Sequence, residues 1–504
     1  MATAYLTPGV YVEEVDRGTK PIEGVGTAVA AFLGIAEKGP IGKATMIANW
    51  TQFTNIFGGY VPGAYLAHAV FGYFNNGGGL CYVVRIGDAS AEAAQPVAEL
   101  PAKSGTATIK ALPKPGVSPD GLSVEVSGDD DSFTITVKGG GAEEKFEGLT
   151  LGKGAKNAFD VVNKQSTLVQ LEELKVTGLS LTERAPAPGT YPLALPSATT
   201  AFVPVTPSDY QGDVTDRSGL GGLEAVSEVT MVLAPDVMAA YQAGILDMDG
   251  VKAIQLAMIA HAERMGDRVA ILDTPPDLNA QEAQEWRMNT AGYDSKYAAL
   301  YYPWVTVADP TPNAPTTTIT VPPSGHMAGV WARSDNERGV HKAPANEVIR
   351  GVISLPINLT NAEQGVLNPN GVNCLRVFAG RGIRVWGART LSSDPSWRYL
   401  NVRRLFNFVE KSIEQGTQWA VFEPNDQDLW GKMRRDIGAF LRVVWRSGAL
   451  FGTTPDQAFF VKCDEENNPQ ETRDLGQLYV DIGIAPVKPA EFVIFRIGQY
   501  APEQ

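Results

Sequence analysis

The chain is poor in cysteine and has no long apolar run, and each shortage excludes a class of protein. Three widely separated thiols occur among its 504 residues, namely Cys81, Cys374 and Cys463. We therefore expect neither a disulfide framework nor a zinc site, and we predict reduced, buried thiols. No stretch reaches the roughly 20 apolar residues that cross a bilayer. The first residues, MATAYLTPGVYVEEV, lack the basic and apolar regions of a signal peptide. The sequence thus predicts assembly in the cytoplasm, without direct insertion into a membrane.

Positive charge is also scarce, and it is unevenly distributed. The 42 Lys and Arg residues are outnumbered by 56 Asp and Glu residues, so the net charge is −14. This balance argues against nucleic acid as a partner, because phosphate contacts need a basic surface. Between Asn373 and Lys462 the balance reverses, since fourteen Lys and Arg against eight Asp and Glu give a local charge of +6. The rest of the chain carries −20, so we expect a basic surface there that faces an acidic partner.

Catalytic signatures are missing. No G-x-x-x-x-G-K-[ST] phosphate loop occurs, and Ser324 lies in PPSGH instead of a G-x-S-x-G elbow. His68 and His261 lie in predicted helices, where a histidine is more often a core or surface residue than a ligand. A triad of Asp236, His261 and Ser324 would need its nucleophile on a tight, exposed turn beside oxyanion donors, which this pattern does not predict. We therefore expect a protein that is not an enzyme and that has no metal or cofactor.

The composition and the apolar patterns change along the chain, and together they predict an α/β fold, α+β overall. The strand, helix and strand patterns EVTMVLAPD, GVKAIQLAMIAHAERMG and DRVAILDTP predict a parallel βαβ unit, and AALYYPWVTVADP predicts a further strand. A Gly-, Ser- and Thr-rich region with patterns such as LSVEVSG and FTITVKG predicts an inserted, mainly β domain. The predicted parts are an N-terminal arm (1–20), an α/β middle domain (21–91 with 201–370), the inserted domain (92–200), a C-terminal α/β domain (371–487) and a C-terminal arm (488–504).

A helix predicted from about Asp428 to Trp445 localises the excess of positive charge. Apolar residues with a period of 3.6 lie on one face: Leu429, Met433, Ile437, Phe440 and Val444. Cations fall near the opposite face: Lys432, Arg435, Arg442 and Arg446. An ordinary solvated face is the alternative. A single sign of charge within an acidic protein favours a binding surface instead.

Both chain ends contain short strand patterns in unusual places. The last one, EFVIFRI, is apolar on both faces and therefore needs cover on both faces. Unpaired strand edges invite strands from another chain, although both ends could instead complete the sheet of their own subunit. The candidate strand-exchange residues are Val10, Tyr11, Val12, Glu13, Glu14 and Val15 at the start, and Phe492, Val493, Ile494, Phe495, Arg496 and Ile497 at the end.

Many local motifs resemble the tail sheath protein family of contractile phage tails and contractile injection systems. The matching segments, in order, are PGVYVEEV, YFNNGG followed by CYVVRI, YYPWV, VPPSGHMAGVWARSD, RGVHKAPAN, LNPNGVN, VWGARTL, WRYLNVRRL, VFEPN, LWGKMRRDIGAFL and IAPVKPAEFVIFRI. Each match is weak alone, but their order and density are specific. The resemblance extends over nearly the whole chain outside residues 92–200.

The resemblance implies a non-catalytic structural subunit of a phage tail or phage-tail-like particle, which can be released from the cell. Such subunits stack as hexameric rings around an inner tube and contract. Their middle domain is subtilisin-like in topology only, and inserted domains face outward. Their terminal arms donate strands to neighbouring subunits, and their C-terminal domain contacts the tube. The implied partners are further copies of the chain, the inner tube protein, and baseplate and cap or terminator proteins.

Together with the charge map, the resemblance assigns tube binding to Lys432, Arg435, Arg442 and Arg446. Gly18 and Pro21, and Pro486 and Pro489, flank the arms and are the predicted hinges. Two alternatives stay open: a subtilisin-like hydrolase, and a non-contractile surface or filament protein.

Deleting residues 1–17 is expected to leave folded subunits that form no contractile sheath, because the first arm would be missing from the exchanged strands. Circular dichroism would report folding, and electron microscopy would report assembly. Contraction by the truncated protein would contradict the role given to this arm.

Overall fold

The computed structural model describes residues 21–87, 98–102, 107–114, 117, 121–129, 132–139, 142–152, 154–174, 183–193, 205–310 and 316–497. The described residues divide into two compact units, one within 1–87 and 205–504 and the other within 88–204. The predicted N-terminal arm, with Val10 to Val15 and Gly18, lies outside the described residues. Each unit is described by itself.

The strands within the described ranges are β1 (Ala30–Gly34), β2 (Thr45–Ile47), β3 (Cys81–Arg85), β4 (Ala98–Pro101), β5 (Ala107–Pro113), β6 (Ser123–Gly128), β7 (Phe133–Gly139), β8 (Ala142–Leu149), β9 (Val169–Glu173), β10 (Gly189–Pro192), β11 (Met231–Leu233), β12 (Val269–Asp273), β13 (Ala298–Tyr302), β14 (Val305–Ala308), β15 (Thr318–Val321), β16 (Val352–Ser354), β17 (Val372–Phe378), β18 (Gly382–Val385), β19 (Phe459–Lys462) and β20 (Asp481–Ile484).

The α-helices within the same ranges are α1 (Trp50–Phe57), α2 (Leu66–Asn75), α3 (Ala158–Gln165), α4 (Pro207–Gln211), α5 (Gly219–Gly222), α6 (Asp236–Gln242), α7 (Met248–Met265), α8 (Ala280–Glu285), α9 (Ser324–Arg338), α10 (Asn361–Leu367), α11 (Leu400–Gly416), α12 (Gln427–Arg446), α13 (Pro455–Ala458) and α14 (Gln470–Asp474). Short 3₁₀ helices span Leu223–Ala225, Asn368–Asn370, Pro395–Trp397 and Gln418–Ala420, and a π-helix spans Trp286–Ala291. No helix in these ranges has both the length and the apolar composition needed to cross a membrane.

An eight-stranded sheet in the order β18-β17-β13-β12-β11-β1-β3-β2 organises the larger unit. Its six central strands run parallel, and an antiparallel strand closes each edge. The strands β1, β11, β12 and β13 are buried along their whole length, as expected for a parallel sheet covered on both faces. The predicted βαβ unit is confirmed as β11, α7 and β12, and Gly266 ends α7 with φ +69°. The mixed α/β prediction is therefore confirmed.

Glycine spacing brings α2 and α9 into close contact beside this sheet. A Cβ at Gly325 would lie 2.4 Å from the Cα of Ala69, and a Cβ at Gly329 would lie 2.5 Å from the backbone oxygen of Tyr73. Larger residues would force the two helices apart. The PPSGHMAG motif thus serves helix packing, which requires small residues one turn apart.

Two strand predictions need correction. AALYYPWVTVADP forms two strands in different sheets, because Pro303 has no N–H to continue a ladder and β14 pairs with β15 and β16. EFVIFRI forms no strand, because residues 491–497 pair with no strand in the described part of the subunit. The predicted domain boundary at 371 falls beside β17 and β18, which extend the large sheet, so a boundary after Val385 fits the topology better.

The C-terminal part beyond this sheet has its own core. Helices α11 and α12 pack with the β19–β20 hairpin around buried apolar side chains, among them Leu405, Ile437 and Phe440. Ile22, close to the chain start, is buried in the same core. The smaller unit contains the sheets β10-β6-β7-β8 and β4-β5-β9, with α3, around a separate apolar core.

A buried carboxylate joins the end of β12 to the start of α9. The backbone N–H and the hydroxyl of Ser324 donate to the Oδ1 and Oδ2 of Asp273 at 2.9 and 2.6 Å. Burial raises the pKa of Asp273 from 3.8 to about 7, although the two hydrogen bonds from Ser324 act in the opposite direction. The folded state thus holds a proton on Asp273 that the unfolded chain releases at lower pH.

Asp273→Asn is expected to remove a pH dependence of stability. A pKa raised on folding contributes stability below pH 3.8 that is lost as the pH rises through about 7. As the pH rises from 3.8 to about 7, the unfolding free energy of the wild type should fall by a few kcal/mol relative to that of the variant, because one pKa unit corresponds to about 1.4 kcal/mol. Urea unfolding at several pH values measures this difference. The exposed Asp456→Asn serves as control, and parallel curves for wild type and Asp273→Asn would contradict the prediction.

Candidate assembly surfaces

The residues considered for a catalytic triad belong to separate networks. Ser324 is bonded to Asp273, and the Nε2 of His261 lies 3.2 Å from a guanidinium nitrogen of Arg268. The buried carboxylate of Asp236 accepts backbone N–H groups from two neighbouring segments. These partners leave the three side chains without contacts to one another. Within the described ranges, no group of His, Cys, Asp and Glu side chains could hold a metal ion.

The predicted cationic helix is confirmed as α12. Asp426 caps its first turn by accepting the N–H of Leu429 at 2.9 Å. One face is buried in the C-terminal core through Leu429, Trp430, Met433, Asp436, Ile437, Phe440, Leu441 and Val444. With 20 residues the helix is about 30 Å long. It is therefore a long, firmly packed element whose other face is available.

The four predicted cations are exposed on that other face. At about 100° per residue, Lys432, Arg435, Arg442 and Arg446 fall within an arc of roughly 80°. Arg435 donates from its Nε to the buried Asp436 at 2.9 Å, so part of its charge is already compensated. The other three make no ion pair with any described residue. This face carries the four cations and one exposed carboxylate, Asp428 in the first turn, and we call the four cations the basic stripe.

Small residues lie along the basic stripe, with Ala439 inside its arc and Gly431 and Gly438 within about 40° of its edge. Gly431 and Gly438 have no atom within 4 Å of the position of an added Cβ, so packing inside the subunit does not require glycine there. Ala439 is also exposed. Glycine inside a helix costs roughly 1 kcal/mol relative to alanine. Small side chains here allow a partner to approach the helix backbone closely.

The C-terminal segment 492–497 is a contiguous exposed apolar feature of the described part of the larger unit. Its five large apolar side chains, Phe492, Val493, Ile494, Phe495 and Ile497, are between 68% and 95% exposed. None of residues 492–497 makes a hydrogen bond with another described residue. A contiguous apolar segment of this kind marks an interaction site.

The predicted hinges lie at the borders of fixed structure. Pro21 is exposed and directly precedes the buried Ile22. Pro486 forms a bridge with Leu450, and the N–H of Val487 donates to the carbonyl of Ala449 at 3.1 Å. Pro486 is thus held by paired backbone. Lys488 and Ala490 are exposed, and an unbroken exposed stretch begins at Phe492.

Two features near α12 escaped prediction from the sequence. The β19–β20 sheet has only two strands, and no other described strand covers either outer edge. Phe422, in the loop before α12, is fully exposed and has a φ of +67°. A bulky residue rarely adopts this conformation. In the sequence, Val421 and Phe422 look the same as a buried apolar pair in a loop. Their exposure could therefore not be predicted from the local pattern.

Two adjacent family models match this chain. The model of the phage tail sheath protein central domain matches residues 224–391, and the model of the phage tail sheath C-terminal domain matches residues 392–499. Together they cover more than half of the 504 residues. Their junction at residue 391 lies close to the end of β18.

Similar proteins include several tail sheath proteins. The tail sheath protein of Burkholderia phage BcepMu is 24% identical over 98% of this chain and 97% of its own length. A putative prophage major tail sheath protein of Pseudomonas aeruginosa is 29% identical over 49% of this chain, and the match spans 61% of that protein. The tail sheath protein of Vibrio phage KVP40 is 31% identical over 34% of this chain, which corresponds to only 26% of that protein.

Solved structures of contractile sheaths are similar over almost the full length. The PVC sheath complex of an extracellular contractile injection system, in its contracted state, is 25% identical with a TM-score of 0.59, and the match covers 99% of this chain and 98% of that one. The contracted helical sheath of the anti-feeding prophage is 25% identical with a TM-score of 0.59, over 98% of this chain and all of the other.

Gly438→Ala is expected to stabilise the isolated subunit by up to about 1 kcal/mol, because alanine favours the helix and the added Cβ meets no atom. Urea unfolding of the purified protein would measure the gain. Gly325→Ala is the matched control and should be destabilising, because its Cβ would overlap Ala69. A loss of stability in Gly438→Ala would show that this glycine serves the subunit's own packing.

Proposed function

Because the chain belongs to the tail sheath family of contractile phage tails and injection systems, we propose that it is the structural subunit of a contractile sheath. Subunits stack as hexameric rings around an inner tube, and contraction drives that tube through a target envelope. The observation that carries this proposal is the exposed apolar segment 492–497, which has no partner among the described residues and which a second copy would cover.

The arms connect the subunits by strand exchange. Segment 492–497 of one copy adds to the β19–β20 sheet of another, and Val10 to Val15 do the same from the other chain end. A two-stranded sheet is marginally stable alone, and both of its outer edges lack a described strand. Added strands would satisfy those backbone groups and cover the exposed Phe460 of β19.

Other sheet edges of the larger unit are weaker acceptors. The outer edge of β18 is already occupied, because residues 346–349 exchange backbone hydrogen bonds with Ile383 and Val385. The edge strands β2 and β16 are only three residues long. The edge strand β15 has four residues, as many as β19 and β20, but the β19–β20 sheet alone among these has two outer edges of that length without another described strand beside them.

The basic stripe contacts the tube. Exposed ion pairs contribute only about 0–1 kcal/mol each, so a single subunit would bind weakly. Many subunits arranged along one tube would bind it firmly together, yet each contact could still be released during contraction. The small residues along the stripe permit a close approach of the tube surface. Screening by salt would weaken this contact more than the strand exchange.

Contraction needs no catalysis in this mechanism. Non-closing contacts between copies generate a helical assembly, and the exchanged strands keep it connected while the subunits rotate and move outward. The extended sheath is held by a kinetic barrier, and contraction releases energy that was stored during assembly. The protein is accordingly not an enzyme, and its middle sheet has a subtilisin-like topology without that chemistry.

Further partners follow from the same role. The ends of a sheath need a baseplate and a cap or terminator protein, and the axis needs a tube protein with an acidic outer surface. Assembly takes place in the cytoplasm, and the particle acts after release. The inserted unit within 88–204 faces outward. A hydrolase and a non-contractile surface or filament protein remain the rival functions, and ribbed cylinders in electron micrographs would exclude both as the main role.

Replacing Lys432, Arg435, Arg442 and Arg446 together with Glu is expected to abolish assembly on the tube, because the stripe would repel an acidic partner. Electron microscopy of particles from cells that express the variant with its tube protein measures the number of extended sheaths. We expect bare tubes and unassembled, folded subunits.

The matched control changes the same number of charges elsewhere. It replaces four exposed cations outside the basic stripe with Glu: Lys43, Lys156, Lys164 and Arg350. This control should still form sheaths on tubes. If the variant with Glu at all four positions of the basic stripe formed extended sheaths of normal length, the tube-binding proposal would be wrong. The family assignment would not be affected.

A further inference from the structure

Helix α11 lies beside the points where both chain ends enter the body of the subunit. On the N-terminal side, the N–H of Val25 donates to the hydroxyl of Ser412 on α11 at 3.1 Å. Gly24 lies against the ring of Phe408, also on α11, where a Cβ would come within 2.9 Å of the ring. The first described residues are therefore held along the second half of this helix.

A buried ion pair also holds the segment by which the N-terminal side of the chain enters the body of the subunit. Arg404 of α11 donates to both carboxylate oxygens of Asp335 at 2.9 and 2.5 Å, and each of these two side chains is only 4% exposed. Arg404 also donates to the backbone oxygen of Thr27 at 3.1 Å, and the hydroxyl of Thr27 donates to Asp335 at 2.6 Å. Hydrogen bonds to buried charged groups are among the stronger ones in proteins.

The C-terminal arm has a corresponding anchor at Glu491. Arg389 donates to its carboxylate from Nε at 2.9 Å and from Nη2 at 2.6 Å, a two-point geometry. The amide of Asn368 donates at 2.8 Å and the hydroxyl of Tyr399 at 3.0 Å. Burial acts to raise the pKa of Glu491, but the bonds from Arg389 and Asn368 outweigh it and hold that pKa below its usual value.

This second anchor leads directly into the same helix. Tyr399 immediately precedes α11, and Asn401 in its first turn donates to the carbonyl of Val487 at 3.1 Å. Arg389 is fixed in turn, because its backbone N–H and carbonyl both bond the side chain of Asn373. The carboxylate of Glu491 is the last anchored group, and every side chain from 492 to 497 is exposed.

We propose that α11 is a mechanical tie between the two arms, with Glu491 and Arg389 as the positioning residues at its C-terminal anchor and Ser412 and Arg404 at its N-terminal anchor. This inference rests on the proposed sheath function. A pull on either arm by a neighbouring copy passes through about 17 Å of helix to the other arm, since Asn401 and Ser412 are eleven residues apart.

The tie also relocates the pivots of the arms. The C-terminal arm turns after Glu491, beyond Pro486 and Pro489, because Val487 and Glu491, on either side of Pro489, are both bonded to the body of the subunit. The N-terminal arm turns at or before Pro21, because Ile22 is already buried. Rigid bodies joined by short pivots can rotate during contraction while the helix keeps the two anchors at a fixed separation.

Hydrogen exchange on the isolated subunit tests the anchors without any assembly. In the wild type, the amides of Ala485 and Val487, which donate to the carbonyls of Ala458 and Ala449, should exchange slowly within peptides covering 485–491, and peptides covering 492–497 should exchange rapidly. Glu491→Gln should speed exchange in 485–491 by about tenfold, the factor expected from losing one charge-assisted contact. The control Glu410→Gln changes a half-exposed carboxylate of the same helix that pairs with Arg403 and contacts no described residue of either arm, and it should leave 485–491 unchanged. Rapid exchange of 485–491 in the wild type would overturn the anchor.

Triggered contraction tests the tie itself. We expect Glu491→Gln, and separately the pair Thr27→Val with Ser412→Ala, to fold and form extended sheaths that break into short pieces on contraction at least several-fold more often than the wild type. Glu410→Gln should contract intact. Melting temperatures of the subunits separate this effect from a general loss of stability. Intact contracted sheaths from both anchor variants would overturn the tie. If the wild type forms no sheath at all, the proposed function and the tie fail together, while hydrogen exchange still reports the anchors.

Discussion

Five large apolar side chains in segment 492–497 set the main constraint on this subunit, because no other described part of the subunit covers them. Segment 492–497 follows directly after an anchored residue, so its exposure starts at a defined point. An apolar segment with unpaired backbone is costly in water and invites a strand partner. The two-stranded β19–β20 sheet of the same chain has two outer edges without a described neighbouring strand, so it can accept such a segment. A polymer satisfies both, and this explains why the family membership and the geometry of one subunit lead to the same function.

Three kinds of contact, which differ in strength, have different roles in the proposed sheath. In the proposed sheath, exchanged strands would supply many backbone hydrogen bonds at once and would keep copies connected throughout a large movement. The basic stripe would supply a few exposed charges, which could hold a tube only through repetition along its length. Buried pairs such as Arg404 with Asp335 belong to neither class, because they fix the arms within one subunit. A contracting sheath needs all three, since it must release its tube, keep its neighbours and remain folded.

Periodic elements could be predicted from the sequence, and long-range anchors could not. Helix α12 was predictable because apolar residues at a period of 3.6 and a single sign of charge leave a local signal, and the same holds for β11, α7 and β12. Pro303 divided a predicted strand because its missing N–H outweighs the apolar pattern around it. The anchor at Glu491 depends on Arg389, 102 residues earlier, and no local pattern encodes such a pair. The pattern of EFVIFRI indicated that both of its faces need cover, but an apolar strand pattern does not show which chain supplies that cover.

The most direct test is a cryo-electron microscopy reconstruction of the polymer at a resolution that traces the main chain. The account predicts cylinders in which segment 492–497 of each copy forms a strand beside β19 or β20 of a different copy, with Glu491 still bound to Arg389 of its own chain. A reconstruction in which this segment folds back onto its own subunit, or one in which copies meet without exchanging any strand, would contradict it.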